Sequence, residues 1–295
     1  MKNLYEILEI EKNATRKDIT KIYEFLKIKY TIEDAPDKLH EVWKAYSVLK
    51  NKKRKNSYDL YCSCDKNIRD MELEAEKMLE NKDYEQAEKN LRKIIDSTTD
   101  ILIFQEKLCE VLFKRKKYKE AFALMENLIK LNPTASDYHL LYGNMHEELG
   151  HNIPAINSYI KALELDPENY DATTSLINLY IWNNNLFEAI SYLKNNICYT
   201  KNFRFRDFFN MCKLIECYII KDDEKAFKEM LNNIVIPDSN HYKRYVICSF
   251  IKLALQMIDS HHELWALHLI KFKEQLCESK TQKSNTEYNL SLIHI

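Results

Sequence analysis

Alanine recurs at positions 87, 121, 155 and 189, each thirty-four residues from the last, and its surroundings recur with it. The preceding segments read Asp83-Tyr84-Glu85-Gln86, Lys117-Tyr118-Lys119-Glu120, Asn152-Ile153-Pro154 and Leu186-Phe187-Glu188. Leu108, Tyr142 and Leu176 share a second phase, Met125, Tyr159 and Leu193 a third, and Pro133 and Pro167 close two of the units after Asn132 and Asp166. A fixed period of this length marks one supersecondary unit stacked on itself. A small residue once per unit marks the point where two helices cross, because a larger side chain there overpacks at a cost of about 1–3 kcal/mol.

Glycine narrows the choice further. The 295 residues contain two, Gly143 and Gly150, where an average soluble chain has about 7%. Neither a Walker loop nor a dinucleotide-binding turn can be built from them, and the tight turns of sandwiches and barrels normally need many more. The fold class expected is therefore all-α, with few turns that strictly require positive φ. With 44 Lys and Arg against 45 Asp and Glu, the chain has no global attraction to nucleic acid or membrane. The eight cysteines form no Cys-x-x-Cys pair, so no metal, no cofactor and a reducing compartment are expected. Met1-Lys2-Asn3 runs straight into amphipathic Leu4-Tyr5-Glu6-Ile7-Leu8, unlike a signal peptide, and no apolar run reaches membrane-spanning length. A soluble cytoplasmic protein is the expectation. A nuclear or nucleic-acid role is the lesser reading of the run Lys52-Lys53-Arg54-Lys55.

The thirty-four-residue unit resembles the tetratricopeptide repeat, a helix-turn-helix module. On that register residues 67–201 hold four repeats, with Ala87, Ala121, Gly143, Ala155 and Ala189 at helix crossings. Residues 202–278 read as divergent hairpins that continue or cap the solenoid, and 279–295 as a polar, disordered tail. The resemblance implies a concave groove lined by the first helix of each repeat. Its positions here are Glu72, Glu76, Glu106, Glu110, Asp137, Asn144, Glu147, Asp171 and Asn178. Some relatives place Lys and Asn there to clamp an acidic chaperone tail; with carboxylates instead, two like charges at 4 Å repel by roughly 4 kcal/mol at an effective dielectric constant of 20. The expected ligand is a basic or mixed-charge peptide or helix.

Residues 1–66 read differently. A short helix from Leu4 precedes Thr15, which can cap a helix from Arg16 to Tyr30, and Leu39, Val42, Trp43, Tyr46 and Leu49 give a third helix one apolar face. Tyr5-Glu6-Ile7-Leu8, Ala14, Ile19, Lys21-Ile22-Tyr23, Lys29-Tyr30, Ala45-Tyr46-Ser47-Val48-Leu49 and Arg54-Lys55-Asn56-Ser57-Tyr58-Asp59 together resemble the J domain of DnaJ-type co-chaperones. The resemblance implies docking on a DnaK-type chaperone through a basic second helix, here Lys17, Lys21, Lys27 and Lys29. Where that family carries His-Pro-Asp, this chain has Thr31-Ile32-Glu33. The implied activity is thus docking or modulation, with poor stimulation of ATP hydrolysis.

No Gly-x-Ser-x-Gly, His-Glu-x-x-His or paired-Cys signature points to an enzyme. His139 and His146 fall on packing positions of the third repeat. The reading is an all-α, non-enzymatic adaptor: a J-like helical hairpin followed by a tetratricopeptide solenoid. The alternative is a structural subunit of a larger assembly without chaperone contact.

Overall fold

The structure is a computed structural model that describes residues 3–32, 36–98, 100–197, 205–233 and 262–276, with 251, 253, 254 and 257 between. All regular structure among the described residues is helical. The helices are α1 (Leu4–Ile7), α2 (Arg16–Ile32), α3 (Pro36–Leu49), α4 (Lys52–Cys62), α5 (Lys66–Glu80), α6 (Tyr84–Ser97), α7 (Leu102–Lys114), α8 (Tyr118–Leu131), α9 (Ser136–Glu148), α10 (Asn152–Leu165), α11 (Tyr170–Trp182), α12 (Leu186–Asn195), α13 (Phe205–Lys221), α14 (Glu224–Asn233) and α15 (Glu263–Leu276). Two compact units emerge, residues 1–27 with 37–179, and residues 28–36 with 180–295.

In the first unit, α2 starts where Thr15 and Asp18 satisfy each other's backbone N–H groups (3.3 and 3.0 Å), a reciprocal cap. The helix runs two residues beyond the expected Tyr30, through Thr31 and Ile32. Ile at 32 keeps the backbone N–H that a Pro would remove. Tyr23 of α2 stacks on Tyr46 of α3 with centroids 3.9 Å apart. Tyr58 of α4 accepts the Leu4 N–H at 2.9 Å, and Tyr5 donates to Asp59 at 2.6 Å, so α1 and α4 close on each other. The side chains of residues 31–37, and Glu33 altogether, lie outside the described residues, as does the tail 279–295.

The pairs α5–α6, α7–α8 and α9–α10 are successive helical hairpins. Ala87, Ala121 and Ala155 are fully buried. At Gly143 the approach is closer still, since a Cβ there would lie 2.5 Å from Cε1 of Tyr159.

The turns overturn one expectation. Lys82, Lys116, Gly150 and Asn184, each thirty-four residues apart, all have positive φ, as do Asp222 and Glu9. In each repeat turn two backbone N–H groups close back on the first helix; Lys116 reaches the Phe113 carbonyl and Lys117 the Leu112 carbonyl, both at 2.9 Å. This cap needs a left-handed residue after the helix. Scarcity of glycine therefore does not mean scarcity of positive φ: the turns require it, and Lys, Asn and Asp adopt it in the open.

In the second unit, Ala189 and Leu193 of α12, Met211, Leu214 and Ile215 of α13, Phe227 of α14 and Leu269 of α15 are buried. The rings of Phe227 and Trp265 lie 4.9 Å apart.

Candidate protein-interaction site

The face of α4 that turns away from α1 carries Arg54, Ser57 and Tyr61, spaced three and four apart, with Lys50 one turn before. That stripe meets the repeats. Arg54 forms ion pairs with Asp137 of α9 and, at 3.2 Å, with Glu106 of α7, and its guanidinium lies 5.3 Å from the centre of the Tyr138 ring. Tyr138 donates to the second Glu106 oxygen at 2.6 Å, and Ser47 of α3 donates to Asp137 at 2.8 Å. Burial works to lower the Arg54 pKa, but Glu106 and Asp137 outweigh it and raise it. Ser57 accepts the Leu102 N–H at 2.8 Å, which caps the start of α7, and Tyr61 packs edge-on against Phe104.

Two equivalent inter-repeat loops receive the α3–α4 corner. Asn51 exchanges amide hydrogen bonds with Asn132 at 3.0 and 3.3 Å, and Lys50 pairs with Asp166, thirty-four residues further on. Lys53 donates to the Leu131 carbonyl at 2.6 Å. Lys27 of α2 is fully buried between Glu168 (3.1 Å) and Glu24 (2.9 Å).

The comparisons follow this division. The DnaJ domain family matches residues 3–59, and the tetratricopeptide repeat family matches residues 136–169. Residues 3–59 are a DnaJ domain. The chaperone protein DnaJ of Finegoldia magna is 43% identical over 67 residues, which cover 21% of this chain and 18% of that protein. The DnaJ homolog subfamily C member 5 homolog of Drosophila melanogaster is 45% identical over 67 residues, covering 21% and 27%. The matched stretch thus spans about a fifth to a quarter of the relatives' length. A putative kinesin light chain of Podosopora anserina with TPR-like repeats shares 14% identity at a TM-score of 0.42, over 57% of this chain and 92% of that one.

The J domain changes the state of the groove residues singled out from the sequence. Glu106 and Asp137 are taken up by its Arg54. Glu72 and Glu76 are bridged by Lys107 of α7 at 2.6 and 2.8 Å; burial raises the Glu76 pKa, but the Lys107 ammonium outweighs it and lowers it. Lys107 lies one residue from Glu106 and had no place in the sequence reading. At Glu72, Glu76 and Glu106 the first two repeats are therefore not an open acidic face, because cations of the same chain neutralise these carboxylates. Asn144 and Glu147 both accept from the Tyr159 hydroxyl, Glu110 is exposed, and Asn178 is half-buried. Asp171 is half-exposed, with His40 of the J domain 3.9 Å away.

Among the lysines of α2, Lys17 and Lys21 are exposed, Lys29 is half-buried and Lys27 is enclosed, so Lys27 does not belong to an open basic face. The run Lys52–Lys55 is likewise structural in part: Lys53 and Arg54 hold the repeats, and Lys55 pairs with Asp59 at 3.0 Å. His146 packs with ring centroids 4.7 Å from those of Phe122 and Tyr142. Burial and the neighbouring His151 lower its pKa. No helix among the described residues is long and apolar enough to cross a membrane.

The docked J domain leaves a cleft of about 750 Å³ between α1 and α3 on one side and α7, α9 and α11 on the other. Its apolar lining includes Leu4, Ile7, Trp43, Leu140 and Leu141, and its acidic lining includes Glu106, Asp137 and Asp171.

Proposed function

We propose that the chain is a non-enzymatic co-chaperone-like adaptor, in which the J domain docks on or modulates a DnaK-type chaperone while the repeats hold a client or partner protein. The observation that carries this reading is that residues 3–27 and 37–59 of the DnaJ domain share one compact unit with the tetratricopeptide helices up to residue 179. Both modules are built around protein surfaces rather than reaction centres. Thr31-Ile32-Glu33 supports docking with weak stimulation: Glu33 carries its carboxylate one methylene further out than Asp, and no Pro at 32 fixes the turn.

Affinity capture from a lysate, in ADP and in ATP, tests the docking. Recovery of a DnaK-type chaperone whose amount changes with nucleotide is the expected result. Single-turnover ATPase measurement tests the modulation, with stimulation well below that of a J domain bearing His-Pro-Asp expected. Stimulation equal to such a domain contradicts the second half of the reading, and absence of any nucleotide-sensitive chaperone contradicts the first. The burial of Lys27 against Glu168 favours a second reading, in which the J domain serves as a packing element of a larger assembly. A stoichiometric complex without a chaperone is the outcome that selects it.

A further inference from the structure

A volume of about 750 Å³ lies in the range of clefts that hold a ligand of small-molecule size, enough for a few side chains. The cleft is not part of a bare repeat groove, because α1 and α3 of the J domain form one of its walls. The floor is aliphatic and aromatic, with Leu4, Trp43 and Leu140 buried, while Leu141 stands exposed within it. The Trp43 side chain is 6% exposed, and its indole N–H is buried without a hydrogen-bond partner. A buried donor without an acceptor costs about 1–3 kcal/mol. Four carboxylates line the cleft (Glu41, Glu106, Asp137 and Asp171) against two permanent cations, Lys44 and Arg54. Arg54 already serves two of the four.

An apolar floor beneath a net negative rim excludes an acidic tail and disfavours a purely polar ligand. We infer that this composite cleft binds a short segment of a partner protein in which aliphatic side chains are interleaved with Lys or Arg, the J domain supplying one wall and the repeats the other. The aliphatic side chains seat on Leu4, Leu140 and Leu141. The basic ones face half-exposed Asp171, since Glu106 and Asp137 are already paired with Arg54. This deepens the reading of the repeats as a partner-holding surface and rests on it.

The experiment uses the full chain and a fluorescein-labelled peptide of alternating Lys and Leu, read by fluorescence anisotropy. Peptides with Glu in place of Lys, and with Ser in place of Leu, serve as comparisons. The Lys-Leu peptide is expected to bind at least about tenfold more tightly than either, a difference of 1.4 kcal/mol. Asp171→Lys, on the repeat wall, is expected to weaken it about tenfold, and Lys44→Glu, on the J-domain wall, to strengthen it about three- to tenfold, because each variant reverses one charge lining the cleft. Unchanged urea midpoints of both variants, together with opposite changes in affinity, exclude misfolding as the cause. Equal binding of the Lys-Ser peptide, or no binding of the Lys-Leu peptide, overturns the inference. Sensitivity to Asp171→Lys alone, with no response to Lys44→Glu, removes the J-domain wall while the repeats keep their partner-binding role. None of these outcomes depends on a DnaK-type chaperone, so they are read separately from the docking test.

Discussion

At Gly143 a single hydrogen atom decides how closely two helices approach. An added methyl group would lie 2.5 and 2.6 Å from two atoms of the Tyr159 ring. That ring cannot retreat cheaply, since it is fully buried and its hydroxyl is held by Asn144 at 2.9 Å and by Glu147. Gly143→Ala is therefore expected to destabilise the chain by about 1–3 kcal/mol in urea denaturation, despite the better helix propensity of Ala. Glu88 shows the same dependence in charge. It is 4% exposed and accepts from Arg92 and Lys117 at 2.9 Å each, and from Arg115. Burial alone would raise its pKa, but these hydrogen bonds outweigh it and bring the carboxyl down from 4.5 to about 2. A depressed folded-state pKa contributes stability that is complete above the unfolded value and is lost as pH falls through the folded value. Thermal melts should thus show a loss between about pH 4.5 and pH 2 that is smaller in Glu88→Gln. Gly143 was legible at a crossing position because the thirty-four-residue phase places it. The Glu88 cluster was not, because two of its three partners, Arg115 and Lys117, come from the next hairpin and no repeat register assigns them.

Turns and stripes are settled at the level of the element. The cap between α7 and α8 places exposed Lys116 at φ 60, in the position that Gly150 occupies in the next repeat. Left-handed backbone costs a non-glycine residue roughly 1–2 kcal/mol, partly offset by the greater freedom glycine has in the unfolded chain. Lys116→Gly should accordingly stabilise the protein by up to about 1 kcal/mol, seen as a higher urea midpoint. For α4 the decisive feature is the spacing of Arg54, Ser57 and Tyr61. Removing Arg54 leaves Glu106 and Asp137 without their cation, and breaking such a buried pair costs about 3–5 kcal/mol when the site cannot rehydrate. Arg54→Met should be strongly destabilising, and the double variant with Glu106→Gln should recover part of the loss, a coupling measurable by a double-mutant cycle. The sequence marked Arg54 as part of a J-domain motif and as part of a basic run. Neither label says which face of α4 it occupies in the packed protein.

For the first compact unit, the inter-repeat loops act as sockets for the α3–α4 corner and for α2. Glu168 is the partner of Lys27, the enclosed cation of α2. Glu168→Lys sets two ammonium groups against each other and should raise the hydrogen-exchange rates of amides in α3 and α4, while those of α9 and α10 stay protected. Unchanged exchange would mean that the loop contact contributes nothing to holding the J domain. By itself the sequence determined the helical class, the period of the repeats, the small residues at their crossings and the presence of a J domain. The first three follow from local chemistry, that is helix propensity, capping and a spacing repeated along the chain, whereas the J domain rests on the likeness of its motifs to that family. Tertiary structure alone decided that the acidic residues of the repeats meet cations of the same chain, Lys107 from within and Arg54, Lys50 and Lys27 from the J domain. The J-domain partners lie between 52 and 141 residues away in sequence. An ion pair at that separation leaves no periodic trace in either partner, because charge is complementary only after packing has brought the two together.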